Sequence, residues 1–90
     1  MFDTVMAMID ACGNDVDFYT ERDTLYLTIN DFDGFDSEWN EIMRTYDHPE
    51  AVNALLDWLS DNCVSRTNGF YTFYSFDGFT VELGYASFDI

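Results

Sequence analysis

The chain has 90 residues, enough for one hydrophobic core and no second domain. Eighteen Asp and Glu face three basic residues, all arginine, for a formal charge of −15, while 48% of the chain is hydrophobic and 19% aromatic. That apolar content excludes a disordered acidic tail, and the sign of the charge excludes direct binding of nucleic acid or anionic lipid, since both depend on Lys and Arg.

The start, MFDTVMAMIDACG, has an acid at position 3 and no basic segment, so it does not read as a signal peptide. No stretch approaches the roughly 20 apolar residues of a membrane span. The default expectation is a cytoplasmic protein. Phe2, Val5, Met6 and Ile9 repeat at helical spacing and predict a helix over 2–12, with Gly13 as its stop. Cys12 and Cys63 lack C-x-x-C spacing and are expected as reduced thiols.

Residues 15–30 predict a β-hairpin turning near Thr20-Glu21-Arg22-Asp23. Val16 and Phe18 alternate with Asp15, Asp17 and Tyr19, and Leu25, Leu27 and Ile29 alternate with Tyr26, Thr28 and Asn30. Period two sets Asp15 and Asp17 on the face away from the apolar side chains. The next segment, NDFDGFDSE, predicts a turn at Asp33-Gly34, with Asp36 or Ser37 capping a helix over 37–46. Trp39, Ile42, Met43 and Tyr46 form the apolar stripe of that helix, and Glu38 and Glu41 fall where its dipole favours negative charge.

Pro49 fits the first position of a further helix over 49–62, preceded by Asp47 or His48. Val52, Leu55, Leu56 and Leu59 make its buried stripe, with Glu50, Asp57 and Asp61 opposite. Residues 69–88 predict a second hairpin around Asp77-Gly78. Its strand 70–76 is aromatic on both faces, which points to cover on both sides or to a partner such as a second copy in a homodimer. The expected fold is a single α+β domain over 1–90, in the order α-β-β-α-α-β-β, with two antiparallel hairpins and helices packed on the sheet.

Little in the chain supports bound metal or catalysis. An EF-hand loop starting at Asp31 would need oxygen ligands at positions 1, 3 and 5, Gly at 6 and Glu at 12. Position 5 is Phe35, position 6 Asp36 and position 12 Ile42, so the motif fails, leaving at most a weak divalent site among Asp31, Asp33 and Asp36. One histidine and two scattered cysteines do not make a zinc site. There is no lysine, no glycine-rich phosphate loop and no Ser-His-Asp grouping. The chain is expected to be neither an enzyme nor a holder of a cofactor.

The acids are the remaining constellation, and they occur on every expected element. Singly, each is a solvated residue or a helix cap. Together they place charges at intervals of about 6–10 Å along a helix, against one phosphate per ~1.7 Å of B-DNA axis. The densest stretch is Asp31, Asp33, Asp36, Glu38 and Glu41, joined by Glu50, Asp57 and Asp61 and by Asp15 and Asp17. Tyr19, Tyr26 and Tyr71 are candidate anchors beside them.

In size, charge and absence of lysine the chain resembles the small acidic inhibitors of phages and mobile elements: anti-CRISPR proteins, antirestriction proteins and inhibitors of the uracil-glycosylase type. The resemblance implies a stoichiometric DNA mimic that blocks the basic groove of a nucleic-acid-binding protein in the bacterial cytoplasm. A CRISPR effector leads as the target, ahead of a restriction enzyme or nuclease. Two alternatives stand beside it: an immunity-type protein binding a basic toxin or nuclease, and a salt-adapted or cation-binding domain. Salt adaptation expects a sparing hydrophobic content, which 19% aromatics does not match.

Overall fold

A computed structural model describes residues 2–35, 41–43, 46–76 and 78–86, with 32–35 and 41–43 described as backbone alone. Helix α1 (Phe2–Cys12) turns Val5, Ile9 and Cys12 inward. It stops where Gly13 takes φ 58°, a left-handed backbone open to a residue without Cβ. A 3-10 turn (Gly13–Asp15) leads into β1 (Val16–Glu21), which pairs antiparallel with β2 (Thr24–Ile29). The loop between them is Arg22-Asp23, with Arg22 at φ 56°.

Strands β3 (Phe32–Phe35) and β4 (Glu41–Met43) form a separate two-stranded sheet. Helix α2 (Pro49–Asn62) follows and turns Val52, Leu55 and Leu59 inward. The chain then runs through β5 (Val64–Asn68), β6 (Tyr71–Phe76) and β7 (Phe79–Tyr85), each antiparallel to the next. Tight loops close both connections. Gly69 (φ 65°) begins the first, and Gly78 (φ 78°) ends the second, while Asp77 of the expected Asp77-Gly78 turn lies outside the described residues.

The main sheet has the order β1-β2-β7-β6-β5. Its centre is a parallel seam that pairs Thr24 through Ile29 of β2 with Thr80 through Tyr85 of β7. Both helices pack on one face, and the core lies between: Val5, Ile9, Cys12, Val52, Leu55 and Leu59 against Val16, Leu25, Leu27, Ile29, Tyr74, Phe76, Val81 and Leu83. At about 25 cal/mol per Å² of apolar burial, each such aliphatic side chain contributes roughly 1.5–3 kcal/mol.

The α+β class stands, but the order α-β-β-α-α-β-β does not. No helix spans 37–46: Glu41–Met43 is a strand paired with Phe32–Phe35, and residues 36–40 and 44–45 lie outside the described set. A stripe of four apolar residues over so short a window fits either period, and pairing with a distant strand decides between them. Asp33-Gly34 is likewise no turn. It sits inside β3, where the register with β4 shifts, a usual place for glycine in a strand. Nor are there two separate hairpins. β5 makes a three-stranded meander with β6 and β7, joined to β1–β2 by the parallel seam.

Candidate partner-binding surfaces

The expected site residues fall into four groups. Asp15 is the first, and it does not face outward. It is fully buried. Its Oδ1 accepts the Asp47 N–H at 3.1 Å and its Oδ2 the His48 N–H at 2.6 Å, with His48 Nδ1 3.7 Å away. His48 is the N-cap residue of α2 but makes no side-chain cap bond. A carboxylate 33 residues earlier therefore serves the positive end of that helix. Gly13 completes the joint, since a Cβ there would come within 3.1 Å of the His48 ring. Asp15 is a structural tie, and alternation misplaced it because the strand begins one residue later, at Val16.

The second group is the outer face of the helical layer. Glu50, Asp57 and Asp61 are all exposed on α2, opposite its buried stripe. Asp3 and Asp10 are exposed on α1, again opposite the buried residues. The two stripes thus look away from the sheet on helices that pack side by side. Neither Arg22 nor Arg66 is ion-paired with any of these acids.

The third group is the stretch 31–41. Asp31 is half-buried. The backbone of Asp33 lies in β3 and that of Glu41 in β4, their side chains undescribed, and Asp36 and Glu38 lie outside the described residues. The proposed divalent site among Asp31, Asp33 and Asp36 falls there too. Among the described residues no cluster of three or more His, Cys, Asp or Glu is placed to hold a metal ion.

The fourth group is the sheet face that the helices leave open. Registration lines up Tyr19, Tyr26, Glu82, Phe73 and Arg66 in one row across all five strands. Asp17, Thr28 and Gly84 line up in the next row, and Tyr71, paired with Asn68, lays its ring against Gly84. Tyr19 and Tyr26 stack with centroids 4.6 Å apart and planes 13° from parallel. Arg66 lies over the Phe73 ring at 5.1 Å. Asp17 accepts a bond from Asn30 Nδ2 at 3.0 Å. The strand with two aromatic faces is thereby explained: Tyr74 and Phe76 enter the core, while Tyr71 and Phe73 stand on the open side.

Between these rows lies an open hollow of about 310 Å³, lined by Tyr19, Tyr26, Leu27, Thr28, Tyr71, Glu82 and Gly84. Gly84 makes the floor because the Tyr71 ring lies on it: a Cβ there would meet Tyr71 Cε1 at 2.7 Å. Burial first, then the carboxylates of Glu21 and Glu82 and the Tyr19 phenol, push the Tyr26 phenol above its ordinary value. The hollow is thus aromatic in its walls and negative in its field. The three tyrosines singled out as anchors all line it, although they come from β1, β2 and β6.

Neither cysteine is an activated thiol. Burial, then the Asp15 carboxylate, pushes Cys12 up, and its Sγ donates to the Met8 carbonyl at 3.2 Å. Burial also pushes Cys63 up. Among the described residues no helix is long and apolar enough to cross a membrane.

The open-face row was invisible in the sequence because it needs the β2–β7 pairing. Glu82 and Gly84 are therefore additions to the expected site. The edge strand β5 had one local signal: Asn68-Gly69 is a strong hairpin dipeptide. No family model matches the chain, and no characterised protein or solved structure matches it significantly.

Proposed function

We propose that the protein is a stoichiometric inhibitor that occupies a basic nucleic-acid-binding groove on another protein, with a CRISPR effector first among the targets and a restriction enzyme or nuclease next. The observation that carries this is the set of exposed carboxylates on the outer face of α1 and α2, Asp3, Asp10, Glu50, Asp57 and Asp61, which the chain's own Arg22 and Arg66 leave unneutralised. Folding keeps charge of one sign at the surface although that raises self-repulsion, a cost that binding a basic partner offsets. At about 1.5 Å rise per residue, the three acids of α2 stand roughly 10 and 6 Å apart along its axis. Regular helix holds them in place, so a phosphate-like array forms without ordering a flexible chain.

Attraction of this kind accelerates encounter and fixes register more than it sets final affinity. The proposal puts the protein in the cytoplasm of the cell whose nucleic-acid machinery it blocks. Free thiols at Cys12 and Cys63 suit that reducing compartment. Competition is the test. Fluorescence anisotropy of labelled DNA or guide RNA on a panel of CRISPR effectors, restriction enzymes and nucleases should fall as equimolar protein is added. Binding that stays unchanged across the panel at low salt sinks the proposal.

A further inference from the structure

We propose that the hollow on the open sheet face is an arginine-binding pocket that takes a guanidinium from the basic partner. This rests on the proposed function for the partner's charge, but the pocket itself is testable without any partner. Flat aromatic surfaces line it: the stacked Tyr19 and Tyr26 on one side and Tyr71 on the other. The Glu82 carboxylate faces the same space. Neither Arg22 nor Arg66 is ion-paired with Glu82, so it keeps its capacity for a cation from outside.

A planar guanidinium stacks on an aromatic ring and pairs with a carboxylate at its edge, whereas an ammonium is a point charge that prefers its hydration shell. The molecule already stacks one of its own arginines on an aromatic ring of this face, without a carboxylate partner among the described residues. Arg66 lies 5.1 Å over Phe73, the cross-strand neighbour of Glu82. The hollow lies on the other side of Glu82 in the same row. Charge selects the occupant: a second copy of a chain at −15 is repelled, while a basic groove supplies arginines.

The test is a ¹H–¹⁵N NMR titration of the full chain with N-acetyl-arginine-amide at constant ionic strength, with N-acetyl-lysine-amide in parallel. The expected result is saturable shifts at the amides of Tyr26, Thr28, Tyr71, Glu82 and Gly84, with the lysine probe several-fold weaker. Glu82→Gln and Tyr71→Ala should each weaken the arginine probe about tenfold with the rest of the spectrum unchanged, tenfold corresponding to about 1.4 kcal/mol. Two variants are used because Tyr71 stands at the surface and Glu82→Gln is isosteric, so either can be read if the other misfolds. Overturning results are shifts spread equally over Asp3, Asp10, Asp57 and Asp61, equal binding of both probes, or no loss in either variant. Shifts at the same amides on raising protein concentration alone would assign the face to a second copy and also overturn it. Arginine bound in the pocket without inhibition across the panel would sink the mimic and keep the pocket. Inhibition undiminished in both variants would do the reverse.

Discussion

Asp15 illustrates how a single side chain can be charged, buried and yet not a site. Its two oxygens take the N–H groups of Asp47 and His48, and removing them leaves the start of α2 without its acceptor. Asp15→Ala should cost about 2–4 kcal/mol in urea denaturation, because hydrogen bonds to a charged group are worth ~1.5–3 kcal/mol each and the loss is only partly offset by water. Asp15→Asn should cost less, since an amide keeps one acceptor. A second residue-scale expectation concerns Tyr85. Burial first, then Tyr74 and Asp31, raises its phenol above the ordinary value of 10.0. The folded state thus holds the proton more tightly than the unfolded one. Its contribution is full below the unfolded value and declines as pH climbs from there through the folded one. Stability should fall on the alkaline side of that point, and Tyr85→Phe should flatten the fall.

At the scale of elements, much of the fold was legible. Val5 and Ile9 of the expected α1 stripe and Val52, Leu55 and Leu59 of the α2 stripe are buried, with Phe2, Met6 and Leu56 only partly so; Pro49 opens α2, and Leu25, Leu27 and Ile29 alternate inward as their spacing implies. What escaped shares one physical cause, the need for a partner distant in the chain. Val64–Asn68 has one apolar residue, and Val64 is 77% exposed, so no hydrophobic period marks a strand that exists only by pairing with β6. Glu41–Met43 is defined by Phe32–Phe35 in the same way. The site was half legible for a similar reason: helical acids follow from period alone, but the tyrosine hollow needs four strands in register. One substitution probes it. Gly84→Ala gives β7 a residue better suited to a strand by about 0.5–1 kcal/mol, and it also drives Cβ into the Tyr71 ring. Tyr71 is 37% exposed and can swing away. The denaturation midpoint should move by no more than about 1 kcal/mol equivalent, while the ring signals of Tyr71 shift and the arginine probe is lost.

Over the whole molecule, one sign of charge dominates. Monovalent salt shortens the Debye length to about 8 Å at 0.15 M, close to the spacing of the helical acids, so added salt should raise the melting temperature by calorimetry. A fall instead would mean that the acids are paired in the folded state. The parallel seam adds a consequence for time. Thr24 meets Thr80 and Ile29 meets Tyr85, so the centre of the sheet forms only when segments 56 residues apart in the chain find each other. Each segment lies in an acidic stretch, with Glu21, Asp23 and Asp31 about the first and Glu82 in the second, so the two repel on approach. Closing the seam is therefore an encounter between like-charged bodies, subject to the law that governs association of separate molecules. Stopped-flow refolding should accelerate with salt, and more steeply than unfolding slows, because repulsion is met on the way to the barrier. A protein shaped to hasten its meeting with a basic surface is, by the same charge, slow to meet itself.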